Sequence, residues 1–88
     1  MPLHQCPCCD YFSLPTRGEY DICNVCFWED NGIDVDEPDE YSGPNHMTLR
    51  EGRQNFLQVG ACHPNSVKHV MHVDDRLWLR YRGRTLKT

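Results

Sequence analysis

Eighty-eight residues carry nine Lys or Arg against thirteen Asp or Glu, a net charge of -4, and 39% of them are hydrophobic. A chain of that length and composition holds one domain with a small core, which excludes a second independent core and makes a covalent or metal staple expected. No run approaches the ~18 consecutive apolar residues of a membrane span, and Met1-Pro2-Leu3-His4 has no basic patch leading into an apolar stretch, so membrane insertion and export are not expected and the chain is assigned to the cytoplasm.

In a reducing cytosol six cysteines do not imply three disulfides; closely spaced pairs read as a metal site first and as a redox dithiol second. Cys6-Pro7-Cys8-Cys9 and Cys23-Asn24-Val25-Cys26 form two C-x-x-C pairs thirteen residues apart, close to the usual four-cysteine zinc spacing. In such a turn the two sulfurs converge on one ion, while backbone amides point back at the first sulfur and damp its charge. Cys6, Cys9, Cys23 and Cys26 are therefore the expected ligands of Zn2+, with iron as the alternative for the same sulfurs. Four thiolates fill a tetrahedral ion and leave no open position, so the site is expected to be structural and the chain not an enzyme.

The residue after each pair often has positive φ, for which Gly is best and Asp tolerable. Asp10 suits that geometry. Phe27 suits it less, so either the second turn is irregular or, as favoured, Phe27 sits at negative φ with its ring, together with Trp28, shielding the sulfurs. Cys8 is read as the outward variable position of the first turn, with an accessible thiol of lowered pKa as the sharper alternative.

Between the pairs, Tyr11-Phe12-Ser13-Leu14 and Tyr20-Asp21-Ile22 flank Pro15-Thr16-Arg17-Gly18 and read as a hairpin. Residues 29–40 hold seven of the thirteen acids and read as a solvated loop; they resemble a calcium loop in composition only, since the register and final Glu are missing and Pro38 intrudes. Ser42-Gly43-Pro44-Asn45 is a turn, after which Thr48-Leu49-Arg50-Glu51 fits a capping box. A helix is expected over about 49–59, with Leu49, Arg53, Phe56, Leu57 and Gly60 on one face and Gly60 ending it. Gly52 weakens this helix by about 1 kcal/mol against Ala, so it should depend on packing against the metal subdomain.

Beyond Ala61 the pattern is undecided: Val67, Val70 and Val73 fit a helical turn, and Leu77, Leu79 and Tyr81 fit a strand. Cys62 reads as a small buried hydrophobe. His63, His69 and His72 read as surface histidines ahead of a second metal cluster, and a Cys62–histidine nucleophilic pair lacks an orienting acid and an oxyanion donor. Residues 76–88 hold five bases and no acids while residues 1–75 hold four bases and thirteen acids, giving +5 and -9. Residues 1–75 are accordingly taken as the cysteine-rich zinc-binding domain and 76–88 as a basic C-terminal segment. The acidic loop could meet a basic partner, including this chain's own Arg76, Arg80, Arg82 and Arg84.

The run Cys6-Pro7-Cys8-Cys9, the block Cys23-x-x-Cys26-Phe27-Trp28-Glu29-Asp30-x-Gly32, the Gly43-Pro44-Asn45 turn and the stretch from Arg53-x-Asn55-Phe56 to Gly60-Ala61-Cys62 together resemble the bacterial cysteine-rich CPCC family over roughly residues 4–70. The resemblance implies a small α+β protein, a zinc-ribbon-like or rubredoxin-like β-hairpin subdomain stapled by metal and followed by a helix, without implying a biochemical role. Asp10 stands where relatives often have Gly, a departure expected to touch turn geometry only. The function expected is a zinc-stabilised module that meets a protein partner through the Phe27–Trp28 edge and the acidic loop. Two alternatives stand beside it: nucleic-acid binding through the basic tail, which the acidic body disfavours, and electron transfer through a rubredoxin-like iron site. Oligomeric state is not legible.

Overall fold

The computed structural model describes residues 2–86. β1 (His4–Gln5) pairs antiparallel with β2 (Phe12–Leu14), His4 opposite Leu14 and Gln5 opposite Phe12, with an irregularity between the two pairs. The first C-x-x-C turn is the tip of this ribbon. Residues 20–23 do not pair with β2 as expected. They form a second ribbon with residues 28–30: Tyr20 N–H donates to Asp30 O (2.8 Å), Ile22 bridges Glu29, and Cys23 N–H donates to Trp28 O (2.9 Å). The reason is local. Each C-x-x-C turn reverses the chain by itself and pairs its own flanking residues, which commits residues 20–23 to 28–30.

β3 (Tyr41–Ser42) and β4 (Met47–Thr48) form an antiparallel hairpin around the Gly43-Pro44-Asn45 turn, and β4 runs directly into α1 (Leu49–Val59). The helix begins where the capping box puts it: Thr48 Oγ1 accepts from Glu51 N–H (3.2 Å) and Glu51 Oε1 accepts from Thr48 N–H (3.0 Å). It ends at Gly60, φ 83°, whose N–H donates to Phe56 O (2.9 Å). Leu49 and Gly52 are the buried helix positions, Phe56 is partly buried, and Leu57 is 83% exposed, so its expected place on the core face is corrected. Residues 49, 52, 53 and 56 make a narrow stripe, and Leu57 lies 100° around the helix from Phe56.

After α1 the chain makes a 3-10 helix (Pro64–His69) and a single helical turn, α2 (Val73–Arg76). His63 and His72 cap these two elements through Nδ1, accepting from Asn65 N–H (3.0 Å) and Asp74 N–H (3.2 Å). The final segment then returns to the first ribbon: Phe12 N–H donates to Arg80 O (2.8 Å), Tyr81 bridges Tyr11, and Arg82 N–H donates to Asp10 O (3.3 Å). Leu79 packs on the core, whereas Leu77 and Trp78 are 72% and 91% exposed. The core itself is small, built on Leu14, Val25, Trp28, Met47, Leu49 and all six cysteines. Among the described residues no helix is long and apolar enough to cross a membrane.

Candidate metal centre

The two C-x-x-C turns are conformational copies of each other. In the first, Asp10 N–H donates to Cys6 O (3.0 Å) and Cys6 N–H to Tyr11 O (2.8 Å); in the second, Phe27 N–H donates to Cys23 O (2.8 Å) and Cys23 N–H to Trp28 O (2.9 Å). Asp10 and Phe27 both close their turns at positive φ, 69° and 72°. The negative φ expected for Phe27 is therefore corrected. The ladder across each turn fixes the backbone and outweighs the ~1 kcal/mol that a bulky residue loses there. The Phe27 ring stacks on His69, centroids 5.0 Å apart.

Facing one another, the turns bring Cys6, Cys9, Cys23 and Cys26 together, all buried, with every Sγ within 4.8 Å of the others. Cys6 Sγ and Cys26 Sγ lie 3.7 Å apart, as do Cys9 Sγ and Cys23 Sγ. Sulfurs at ~2.3 Å from a tetrahedral ion are separated by about 3.8 Å, so the cluster has the dimensions of a metal cage and could hold an ion. The two 3.7 Å separations are longer than the ~2.05 Å of a disulfide, and all six cysteines are free. Val25 N–H donates to Cys23 Sγ (3.3 Å), and Ser13 Oγ lies 2.9 Å from the same sulfur. Hydrogen bonding from Cys26, then Cys6 and Cys9, holds Cys23 well below the ordinary thiol range against its burial, with Ser13 adding to it. Burial drives Cys9 and Cys26 well above that range. Four buried sulfurs thus carry charge badly on their own, which is the condition a bound cation relieves.

Cys8 contradicts both readings made of it. It is buried, 2% exposed, and burial raises its pKa, so it is neither an outward residue nor an accessible thiolate. The cause is α1, which crosses the first turn at Gly52: a Cβ built there would lie 2.7 Å from Trp28 Cζ3 and 3.4 Å from Cys8 Sγ. The mid-helix glycine was the available sequence signal. Trp28 is completely buried in the same contact, which removes it from any docking edge. Cys62 is buried as expected, its pKa pushed up to about 12, first by burial and then by the neighbouring sulfurs.

Asp10 does more than shape its turn, and that expectation is corrected too. Its carboxylate, buried behind the first turn, accepts from Arg53 Nη1 (2.8 Å) and Nη2 (2.9 Å), from Arg84 Nε (2.9 Å) and from Arg84 N–H (2.7 Å). Burial alone would raise its pKa, but Arg53 and Arg84 together hold it below the usual carboxylate range. Arg53 also donates to Pro7 O, and Arg84 Nη2 to Cys6 O (3.3 Å), so both guanidinium groups touch the turn that carries the sulfurs. Arg84 further reaches Asp34 (3.4 Å), which Arg17 bridges to buried Asp30 (2.8 and 2.9 Å). The chain's own tail is thus one partner of its acidic loop. Among the described residues no second cluster of three or more metal-ligating side chains forms, so His63, His69 and His72 remain separate.

A family model described as Cysteine-rich CPCC matches residues 4–76. Comparison with curated proteins and with solved structures returns no match to either.

Proposed function

The chain belongs to the cysteine-rich CPCC family, and on that premise we propose that it is a cytosolic, non-enzymatic interaction module whose fold is held by one structural Zn2+. Cys6, Cys9, Cys23 and Cys26 would hold the ion in a zinc-ribbon-like or rubredoxin-like arrangement, and its positive charge would offset the thiolates that the core cannot otherwise carry. The observation behind this reading is the buried sulfur quartet at tetrahedral spacing. The Val25 amide and Ser13 orient the Cys23 sulfur, while α1, Trp28 and Cys8 exclude water. With four protein ligands and no approach for a fifth, such an ion organises the chain and does no chemistry on a substrate.

Iron fits the same four sulfurs and would make the protein an electron carrier. Zinc is favoured because it is redox-inert, and a closed four-thiolate site with no open position suits a structural ion. Elemental analysis with thiol counting decides the matter. The expected result is one zinc per chain, a colourless protein, and four thiols that become reactive only after chelation. A red, iron-loaded protein would replace zinc with the electron-transfer reading, and no bound metal would end both.

The interaction role rests on what the core leaves outside. With Trp28 buried, the remaining candidates are the acidic loop and the exposed residues that follow α2.

A further inference from the structure

The two charged ends of this molecule meet at one seam. Arg84 and Asp34 pair there, Arg17 also holds Asp34, and Arg50 holds Asp39 (2.7 Å), while other charges on each side form no ion pair among the described residues. On the basic side, Trp78, in the turn that ends α2, and Arg80 and Arg82, in the segment after it, are exposed, while Leu79 packs inward and Tyr81 packs on Tyr11. Arg80 lies over the Phe12 ring at 4.7 Å, and among the described residues neither Arg80 nor Arg82 meets a carboxylate. Phe12, Trp78, Leu79 and Leu3 wall a cleft of about 310 Å³ with Arg80 at its side. A side chain as apolar as Trp78 at 91% exposure is a contact surface awaiting cover.

On the acidic side, Asp36, Glu37 and Glu40 are exposed and, among the described residues, meet no cation. A side-chain hydrogen bond with Glu40, and then the charges of Glu40 and Asp36, raise the Glu37 carboxyl above its ordinary range. Tyr41, 61% exposed, follows directly. Each patch therefore has two like charges beside an exposed aromatic: Trp78 with Arg80 and Arg82, and Tyr41 with Glu37 and Glu40.

We infer that the partner of the Trp78–Arg80–Arg82 face is a second copy of this chain, which presents its Glu37–Tyr41 segment to that face. The inference rests on the interaction-module reading and names its partner. A two-fold arrangement that lays each tail on the other copy's acidic segment makes the same charge-complementary contact twice and closes a dimer. Trp78 against the Tyr41 and Pro38 region supplies apolar burial, and the arginine–glutamate pairs fix orientation. Nucleic acid is the less suited occupant: Arg84 is held by Asp10 and Asp34, Arg76 lies over Tyr11 and Phe56, and a single strand would approach a body of charge -9.

Sedimentation velocity of the full, metal-loaded chain tests this. At about 0.05 M salt the species should have twice the 10.3 kDa chain mass and should dissociate as salt rises to about 0.5 M. W78A, R80E/R82E and E37R/E40R should each weaken association at least about tenfold without changing metal content or far-UV circular dichroism. An equimolar mixture of R80E/R82E with E37R/E40R should restore a dimer, since each then offers the charge the other lacks. A monomer at low salt, a dimer indifferent to these substitutions, or a monomer that binds an oligothymidine probe overturns the inference. Metal content measured on the same samples keeps the two readings apart: a zinc-loaded monomer sinks only the dimer, and a metal-free dimer sinks only the zinc site.

Discussion

Gly52 is the position where helix propensity and packing oppose each other most directly. Alanine would stabilise an isolated helix by about 1 kcal/mol. In the folded chain its Cβ would stand 2.7 Å from the Trp28 ring, which is fully buried and has no room to withdraw. Overpacking of this kind costs about 1–3 kcal/mol, so Gly52→Ala is expected to lower stability to chemical denaturation, where propensity alone predicts a gain. Asp10 holds a comparable conflict. Asn tolerates its positive φ equally well, so Asp10→Asn keeps the turn while it removes the charge that Arg53 and Arg84 share and turns one accepting oxygen into an N–H donor. A loss on the order of 2–3 kcal/mol is expected, read as a lower denaturation midpoint with one metal per chain retained. At this scale the four-cysteine cluster was legible because the spacing of the two C-x-x-C pairs encodes it. Burial of Cys8 and the double ion pair of Asp10 were not, because they depend on α1 and on a segment more than seventy residues away.

Among the elements, α1 was legible to its ends. Its start is set by Thr48 and Glu51 and its stop by Gly60, all within one turn of the boundary they define. Thr48→Ala should therefore cost about 1 kcal/mol in unfolding free energy, as loss of a cap usually does. The strands were harder to read for a related reason. Three-residue β2 has too little pattern to choose its partner, and it joined His4–Gln5 on one side and the returning tail on the other. The expected hairpin with residues 20–22 gave way because those residues belong to the second C-x-x-C ribbon. A pairing set by a turn is visible in sequence; one set by what the turn is folded around is not.

At the scale of the whole molecule, few elements touch and the longest is eleven residues, so the parts are joined by two devices. One is the sulfur cluster, which links the two ribbons. The other is the tail: Gln5 Nε2 donates to Arg82 O (2.7 Å), and Arg84 spans Asp10, Asp34 and Cys6 O. Arg84→Ala is expected to release the segment after Tyr81, read as faster amide exchange there and earlier tryptic cleavage at Arg80 and Arg82, with the metal retained. The family and the small α+β class were open to sequence reading, since ordered motifs carry both. The course of residues 61–86 was not, because it follows side-chain contacts that no local periodicity announces.

With the proposed zinc bound, the two devices would be unequal. A four-thiolate zinc site contributes about 10–16 kcal/mol of apparent binding free energy at neutral pH, as large as the whole ~5–15 kcal/mol net stability of a typical domain. The decisive measurement is an amide NMR spectrum with a thermal melt, taken before and after stripping the metal under reducing conditions. The account predicts that dispersion across residues 4–30 collapses and the cooperative melt disappears, both returning when one equivalent of zinc is added. A stripped protein that keeps its dispersion and melts at the same temperature would contradict it.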